Sequence, residues 1–311
     1  MEPDFEAEFA AHRAALLRHC YRMLGSFAEA EELTQDTLER GWKGRATYTG
    51  AAPLQHWLHA IATNACLNAL SQRQRRALPQ LEQGPAAEDV ELVRTEPERW
   101  LTPAADARSF PDPSEIAESR ETVALAFVAL LQRVPPRQRA ALLLKDVVGW
   151  SAEEISEALG LSVSAVNSAL HRGRETVARN EPRAEEPSAE TLSAFVRAWE
   201  TRDLDALVGL LRNDVTLAMP PYAAWFHGVE AVTRFFRTRQ FWTFWSSVGR
   251  VALTRANARP ALGFYRTLGD GTLGGHALMV VRFQAGQVAE MNTFVGAHYF
   301  AGFELSGEPT A

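Results

Sequence analysis

Ser164, Asn167, Ser168, His171 and Arg172 fall three and four residues apart, so a helix would present them as one polar stripe. Asn suits bidentate contact with adenine, Ser reaches a base edge or a phosphate, and Arg172 and Arg174 suit phosphate oxygens. That chemistry is recognition by hydrogen bonds and charge, with no bond made or broken. A second set lies upstream: Trp57, Asn64 and Asn68, followed by Arg73, Arg75 and Arg76. A flat ring, two amides and a basic end on one helix fit unstacked bases and backbone phosphates. Each set also has a plainer explanation, Trp57 as a core residue and the polar stripe as a solvated face.

A third set could line a pocket: Met219, Trp225, Phe226, Trp242, Phe244, Trp245, His276, Met279, Asn292 and Phe294. The plainer reading is core, since a small domain needs aromatics to fill it. Asn292 cannot transfer protons at neutral pH, the nearest carboxylate is Glu290, and a lone His276 is most often structural. We therefore expect no catalytic residue, no metal and no cofactor. Cys20 and Cys66 lack a CxxC spacing and sit in apolar helical patterns, which reads as small buried hydrophobes in a reducing compartment. The acidic start, Met1 to Glu6, has no signal-peptide order and no apolar run is long enough to span a bilayer, so a cytoplasmic protein is expected.

The elements that must position these residues follow from periodicity. Leu16, Leu17, Cys20, Met23 and Leu24 form one helical stripe, Leu33, Leu38 and Trp42 another, and Trp57 to Leu70 a third, giving an all-helical unit over 1–78. Residues 79–113 break the pattern with Pro79, Pro85, Pro97, Pro103, Pro111 and Pro113 and read as a linker. Residues 81–120 hold four basic and ten acidic residues, which accounts for the whole net charge of −6 and leaves basic residues elsewhere free to cluster. One apolar island, Trp100, Leu101 and Pro103, should dock rather than stay in water.

Helix returns over 114–180. Ser151 and Glu154 have capping-box spacing, Gly160 can supply the left-handed residue of a tight turn, and Ser162 can cap the next helix. Two short helices joined at a glycine form a helix-turn-helix, in which Ala165, Val166, Ala169 and Leu170 should face inward. After a second linker, 181–188, residues 189–211 read as helix. Alternation then predicts strands at 215–219, 250–256, 262–268, 275–283 and 287–295, an α+β domain over 189–311.

Three segments together carry a family resemblance. Glu31-Glu32-Leu33-Thr34-Gln35-Asp36-Thr37 with Trp42, then Trp57 through Arg76, then Val134-Pro135-Pro136-Arg137-Gln138-Arg139-Ala140 with the helix-turn-helix, resemble regions 2.2, 2.3–2.4 and 4 of RNA polymerase sigma factors. Their order, with no region 3 between them, is that of the extracytoplasmic-function group. The resemblance implies that Glu32, Gln35 and Asp36 grip the clamp helices of core RNA polymerase. It also implies that the Thr47–Pro53 loop and the helix from Trp57 to Arg76 melt and read the −10 element, with Asn64 and Asn68 toward the non-template strand. The helix after Ser162 would read the −35 element; Asn167 and Ala169 stand where a Lys and an Arg are usual. Residues 189–306 resemble SnoaL-like cone domains, and Trp100–Pro103 is similar to a linker motif of sigma factors carrying that appendage.

The fold class expected is thus multidomain: two all-α sigma domains, then an α+β SnoaL-like cone. The function expected is transcription initiation with activity modulated by the cone, its partners core polymerase, promoter DNA and a candidate small-molecule ligand of the cone. The alternatives are a DNA-binding one-component sensor, or a cyclase-like or isomerase-like enzyme fused to a helix-turn-helix.

Overall fold

Helices build the first of two compact units, and a six-stranded sheet packed with helices builds the second. In the computed structural model, residues 5–71, 75–87, 90–110, 115–116, 121–177, 185–300 and 302–303 are described. The first unit combines residues 1–76 with 108–181; the second combines 77–107 with 182–311.

In the first unit, α1 (Phe5–Leu24), α2 (Phe27–Gly44) and α3 (Leu54–Leu70) pack around Leu16, Leu17, Cys20, Met23, Leu58 and Cys66, all fully buried. A Cβ at Gly41 would lie 2.7 Å from the Phe9 ring and 2.8 Å from Leu58, so only glycine lets α2 come this close. The chain continues as α4 (Leu125–Arg133), α5 (Pro136–Asp146), α6 (Ala152–Leu159) and α7 (Val163–Val177). The end of α1 is tied to this second group by buried polar contacts. Arg139 of α5 donates to the Met23 carbonyl, and Gln132 Nε2 donates to the Arg22 carbonyl at 3.1 Å. These carbonyls belong to the last turn of α1, which has no intrahelical partners of its own. Ser151 and Glu154 form the reciprocal capping box, Gly160 turns at φ +60°, and Ser162 Oγ accepts from the Ala165 amide at 3.2 Å.

In the second unit, the stretch expected to be a single helix over 189–211 breaks into α8 (Ala189–Thr201) and α9 (Leu204–Gly209). Arg202 turns left-handed at φ +57°, and Asp203 caps α9 by accepting from the Ala206 amide. Then follow β1 (Leu211–Ala218), β2 (Trp225–His227), α10 (Val229–Phe236), α11 (Arg239–Ser247), β3 (Val248–Ala256), β4 (Arg259–Thr267), β5 (Leu273–Gln284) and β6 (Gln287–Val295). The sheet runs β2-β1-β6-β5-β4-β3, with β1 and β6 parallel and every other pair antiparallel. Register shifts between β3 and β4, β4 and β5, and β5 and β6 mark bulges, which bend a sheet and raise its twist. The concave face closes over α8, α10 and α11 around Phe195, Trp199, Phe236, Trp245 and Phe264.

Of residues 79–113, set apart by sequence as one linker, the described residues up to 107 belong to the second unit. The described residues among them lie along the cone. The Ala86 amide donates to the Trp225 carbonyl, the Thr95 amide to the Pro221 carbonyl, and the Asn257 amide to the Ala104 carbonyl. Proline removes helix but leaves an extended chain whose remaining amides and carbonyls can be satisfied on another surface.

Candidate nucleic-acid interface and cone pocket

On α2, Glu32 and Gln35 are exposed, while Asp36 is half-buried and pairs with Arg40 at 2.6 Å. Thr34 and Thr37 turn the other way and are buried, each hydroxyl bonded to the carbonyl four residues back. Trp42 is 42% exposed, with Arg45 stacked over its ring at 4.4 Å. The outward face of α2 is therefore polar with one aromatic at its end, suited to docking on another protein.

On α3, Asn64 and Asn68 are exposed and point away from buried Ala62, Thr63, Ala65 and Cys66. Trp57 is half-buried against Tyr48, ring centroids 5.3 Å apart. Arg75 is exposed. Arg76 departs from the expected phosphate-facing role: it is only 6% exposed, pairs with Glu29 at 2.8 Å and donates to the Leu24 carbonyl. It fastens the end of this helical layer to the α1–α2 turn. Arg73 lies outside the described residues.

On α7, Ser164, Asn167, Ser168, His171 and Arg172 are all exposed on one side, with Val166, Ala169, Leu170 and Gly173 buried on the other. Ala165, expected inward, is exposed and belongs to the outward face. Arg174 is exposed but already paired with Asp146, at 2.5 and 3.0 Å. The outward stripe begins at the helix N-terminus, where a helix-turn-helix presents its base-reading residues.

Within this unit, the loop from Thr47 to Ala52 and Trp57 face α6 across a cleft of about 280 Å³. His56 bridges it: Nδ1 is 3.1 Å from Glu154 Oε1, and its ring lies 4.9 Å from that of Trp150. Sequence reading gave His56 no role, because nothing in spacing alone places α3 beside α6. Below them, burial holds His19 well below the usual imidazole range and pushes His59 down to about 4. These two rings are neutral packing groups, with His19 Nε2 bonded to the Thr63 hydroxyl at 2.9 Å.

The cone encloses a cavity of about 140 Å³. Of the residues proposed for it, Met219, Phe244, His276 and Met279 line it; Trp225, Phe226, Trp242, Trp245, Asn292 and Phe294 do not. Phe226 stacks on Phe235 at 4.6 Å within the core, and Trp245 is fully buried against Trp199 and Phe241. Trp242 is 38% exposed on the outside. Trp225 donates its indole N–H to the Gln83 carbonyl at 2.9 Å. Asn292 and Phe294 fail by strand parity: successive residues of β6 point to opposite faces, and Thr293 and Val295 are the ones that face the cavity. Asn292 instead takes a hydrogen bond from Gln80 at 3.0 Å. His276 is the extra residue at the bulge where Phe264 pairs with Ala277 and Tyr265 with Gly275, which explains how it reaches the cavity alongside Ala277.

Trp100 and Leu101 are fully buried, and Pro103 is buried too. The Trp100 indole N–H donates to Thr95 Oγ1 at 2.7 Å. Among the described residues no cluster of His, Cys, Asp and Glu could hold a metal, and no helix is long and apolar enough to cross a membrane.

Two family models match the chain: Sigma-70 region 2 over residues 9–76 and Sigma-70, region 4 over residues 124–177. The ECF RNA polymerase sigma factor SigG of Mycobacterium tuberculosis is 40% identical over 312 residues, spanning 97% of this chain and 84% of the relative. The ECF RNA polymerase sigma factor SigE of Mycolicibacterium smegmatis is 33% identical over 176 residues, 56% of this chain and 60% of its own. Among solved structures, the Mycobacterium tuberculosis extracytoplasmic function sigma factor SigJ matches 98% of this chain and 99% of its own, with TM-score 0.60 at 21% identity, a likeness of fold.

Proposed function

Starting from the fact that the chain belongs to the extracytoplasmic-function family of RNA polymerase sigma factors, we propose how its parts divide the work of bringing the polymerase to a promoter. The chain is a transcription initiation factor. In our reading, Glu32, Gln35 and Asp36 on α2 meet core polymerase. Asn64, Asn68 and Arg75 follow the −10 strand, and the stripe from Ser164 to Arg172 enters the major groove at the −35 element. It would act where polymerase and chromosome meet, in the cytoplasm.

The −10 and −35 elements lie about 25 base pairs apart, roughly 85 Å of duplex. His56, near the start of the helix assigned to the −10 element, lies 3.1 Å from Glu154 of the helix-turn-helix. With α3 and the helix-turn-helix side by side in this way, promoter binding in our reading requires α3 and α7 to separate. The segment joining the two sigma regions is the one that must pay out, and the observation that carries our reading is that it lies bonded along the cone from Gln80 to Asp106. We assign the cone the role of holding or releasing this segment, and so of setting how readily the factor opens.

The experiment is a titration of core RNA polymerase and promoter DNA with the full chain and with a Gln80→Ala, Trp225→Phe variant, which removes two side-chain ties of the segment. Core binding by both, with altered promoter-complex formation by the variant, is expected. Absence of core binding in either form overturns the assignment of α2; identical promoter behaviour overturns the role given to the cone.

A further inference from the structure

The cone carries two connected spaces of opposite character. The inner one is the cavity of about 140 Å³, walled chiefly by Phe241, Phe244, Met219 and Met279; among the described residues no lysine, arginine or carboxylate lines it. The outer one is an open groove of about 530 Å³ whose wall holds Arg266 and the hydroxyl residues Thr243, Ser247 and Thr267, again with no carboxylate among the described residues. Gln240, Phe244 and His276 line both spaces and so form the throat between them. Strand parity puts Arg266 on the same side. On β4, Phe264 faces the concave side against Phe244, ring centroids 5.9 Å apart, while Tyr265 turns the other way onto Phe300. Arg266, two residues beyond Phe264, returns to the concave side, and opposite it stands Gly274, which has no side chain to meet it. Arg266 is exposed and has no hydrogen-bond or ion-pair partner among the described residues. The neighbouring Asp270 is committed to the Thr272 amide and hydroxyl. His276 stacks on Phe244 at 5.2 Å, and neither ring nitrogen is sealed from solvent or hydrogen-bonded among the described residues. Burial and the Arg266 and Arg94 charges hold its imidazole below the usual range, so it is neutral at neutral pH with one N–H to donate.

We infer that the cone binds a small aromatic carboxylic acid, its single ring in the inner cavity and its carboxylate in the throat, on the Arg266 guanidinium and the His276 N–H. Size sets the ring, since a dry apolar cavity of roughly 150 Å³ takes benzene. The wall chooses a ring over an alkyl chain: a flat π-system meets Phe241 and Phe244 by stacking and the two thioethers by sulfur–aromatic contact. Charge chooses the acid. A carboxylate drawn into the inner cavity would lose its water with nothing to replace it. At the throat it gains a cation and a neutral donor, and the groove keeps its far side wet. Arg94, 5.9 Å over the Tyr222 ring, adds a second positive charge near the same imidazole, so an amine in place of the acid is repelled. The site stands on the cone alone and does not depend on the regulatory role proposed above.

The test is calorimetric titration of the full chain with phenylacetate and 3-phenylpropionate, which carry the carboxylate at two reaches from the ring. Each is compared with its own amide, and acetate supplies the charge alone. The better-fitting acid should bind about tenfold tighter than its amide, the worth of one charge-assisted hydrogen bond at a partly wet site, and acetate should not bind. Arg266→Gln should bring the acid to the level of the amide while the amide binds as before, which shows the cavity intact. On methyl-labelled protein the acid should shift the Met219 and Met279 resonances and leave Met23, in the sigma unit, unmoved. Failure of both acids to bind, an acid-to-amide ratio near one, or a ratio unchanged in Arg266→Gln overturns the site. Binding that leaves the Met219 and Met279 methyls unmoved overturns it too, because the ring then lies elsewhere. No polymerase is present in these titrations, so failure of this site and failure of the sigma assignment are separate results.

Discussion

Asp106→Asn should make the cone unit less sensitive to pH and more stable at neutral pH. Asp106 ends the docked segment, is 4% exposed, and accepts a hydrogen bond from the Ala258 amide at 2.8 Å. Burial raises its carboxyl from the ordinary range to about 6, against the opposing pull of the Ala258 amide and the Arg255 guanidinium; Glu186, also paired with Arg255, adds to the rise. Folded Asp106 thus holds its proton between about pH 4 and 6, where the unfolded chain has lost it. Stability falls with rising pH wherever the folded state binds more protons, so this group favours unfolding progressively across that window and fully above it. A shift of about two units corresponds to about 3 kcal/mol. The neutral amide keeps an acceptor for Ala258 and removes the titration. The assay is urea unfolding of both proteins from pH 4 to 7.5, with exchange of the Ala258 amide as a local reporter. The difference between the two profiles should grow by about 3 kcal/mol in favour of Asn as pH rises. Parallel profiles, or a wild type that gains on the variant with rising pH, would mean the Arg255 contact governs Asp106 and would refute the reasoning.

Trp100→Ala should destabilise the cone unit by about 3–5 kcal/mol, the usual cost of removing a buried Trp, as measured by urea unfolding. Arg76→Ala should destabilise the sigma unit by about 1–3 kcal/mol by removing the buried guanidinium that bonds the Leu24 carbonyl and Glu29. A purely DNA-facing Arg76 would instead leave thermal stability untouched and weaken promoter binding. Asn167→Ala should cost about 1–3 kcal/mol on the cognate −35 sequence and little on mismatched DNA, whereas Arg172→Ala should weaken all sequences alike and reduce the salt slope by about one. Gel-shift titrations at several salt concentrations with polymerase holoenzyme separate those two outcomes.

The pattern of what was legible follows from the range of the interactions involved. Caps and turns are local, so Ser151, Glu154, Gly160 and Ser162 announce their roles within a few residues. The helix-turn-helix stripe is equally local, and only Ala165, at the border of two faces, falls on the other side. Pocket residues depend on strand parity, and parity is undone by one bulge: His276 reaches the cavity because it is the extra residue there, while Asn292 and Phe294 sit one step out of phase with Thr293. Docking depends on partners far along the chain. Proline and acid content made 79–113 look like free linker, and only the Trp100 island hinted that it was not. Arg76 shows the same limit in reverse, since a basic helix end looks alike whether it faces phosphate or a glutamate 47 residues upstream.

The same distinction bears on how the cone could act. A free linker would let the two sigma regions separate at an entropic cost that changes little with its length, leaving the cone nothing to regulate. A docked segment must first break contacts spread from Gln80 to Asp106, so the cost of opening depends on the state of the surface that holds it. Any event that strengthens that surface should then disfavour opening; an event that weakens it should favour opening. The relation has a sign and can fail: a cone-stabilising variant such as Asp106→Asn should lower promoter-complex formation at pH 7.5 relative to wild type. Below about pH 4, where Asp106 is protonated in the folded and the unfolded chain alike, the unfolding free energies of the two proteins should converge.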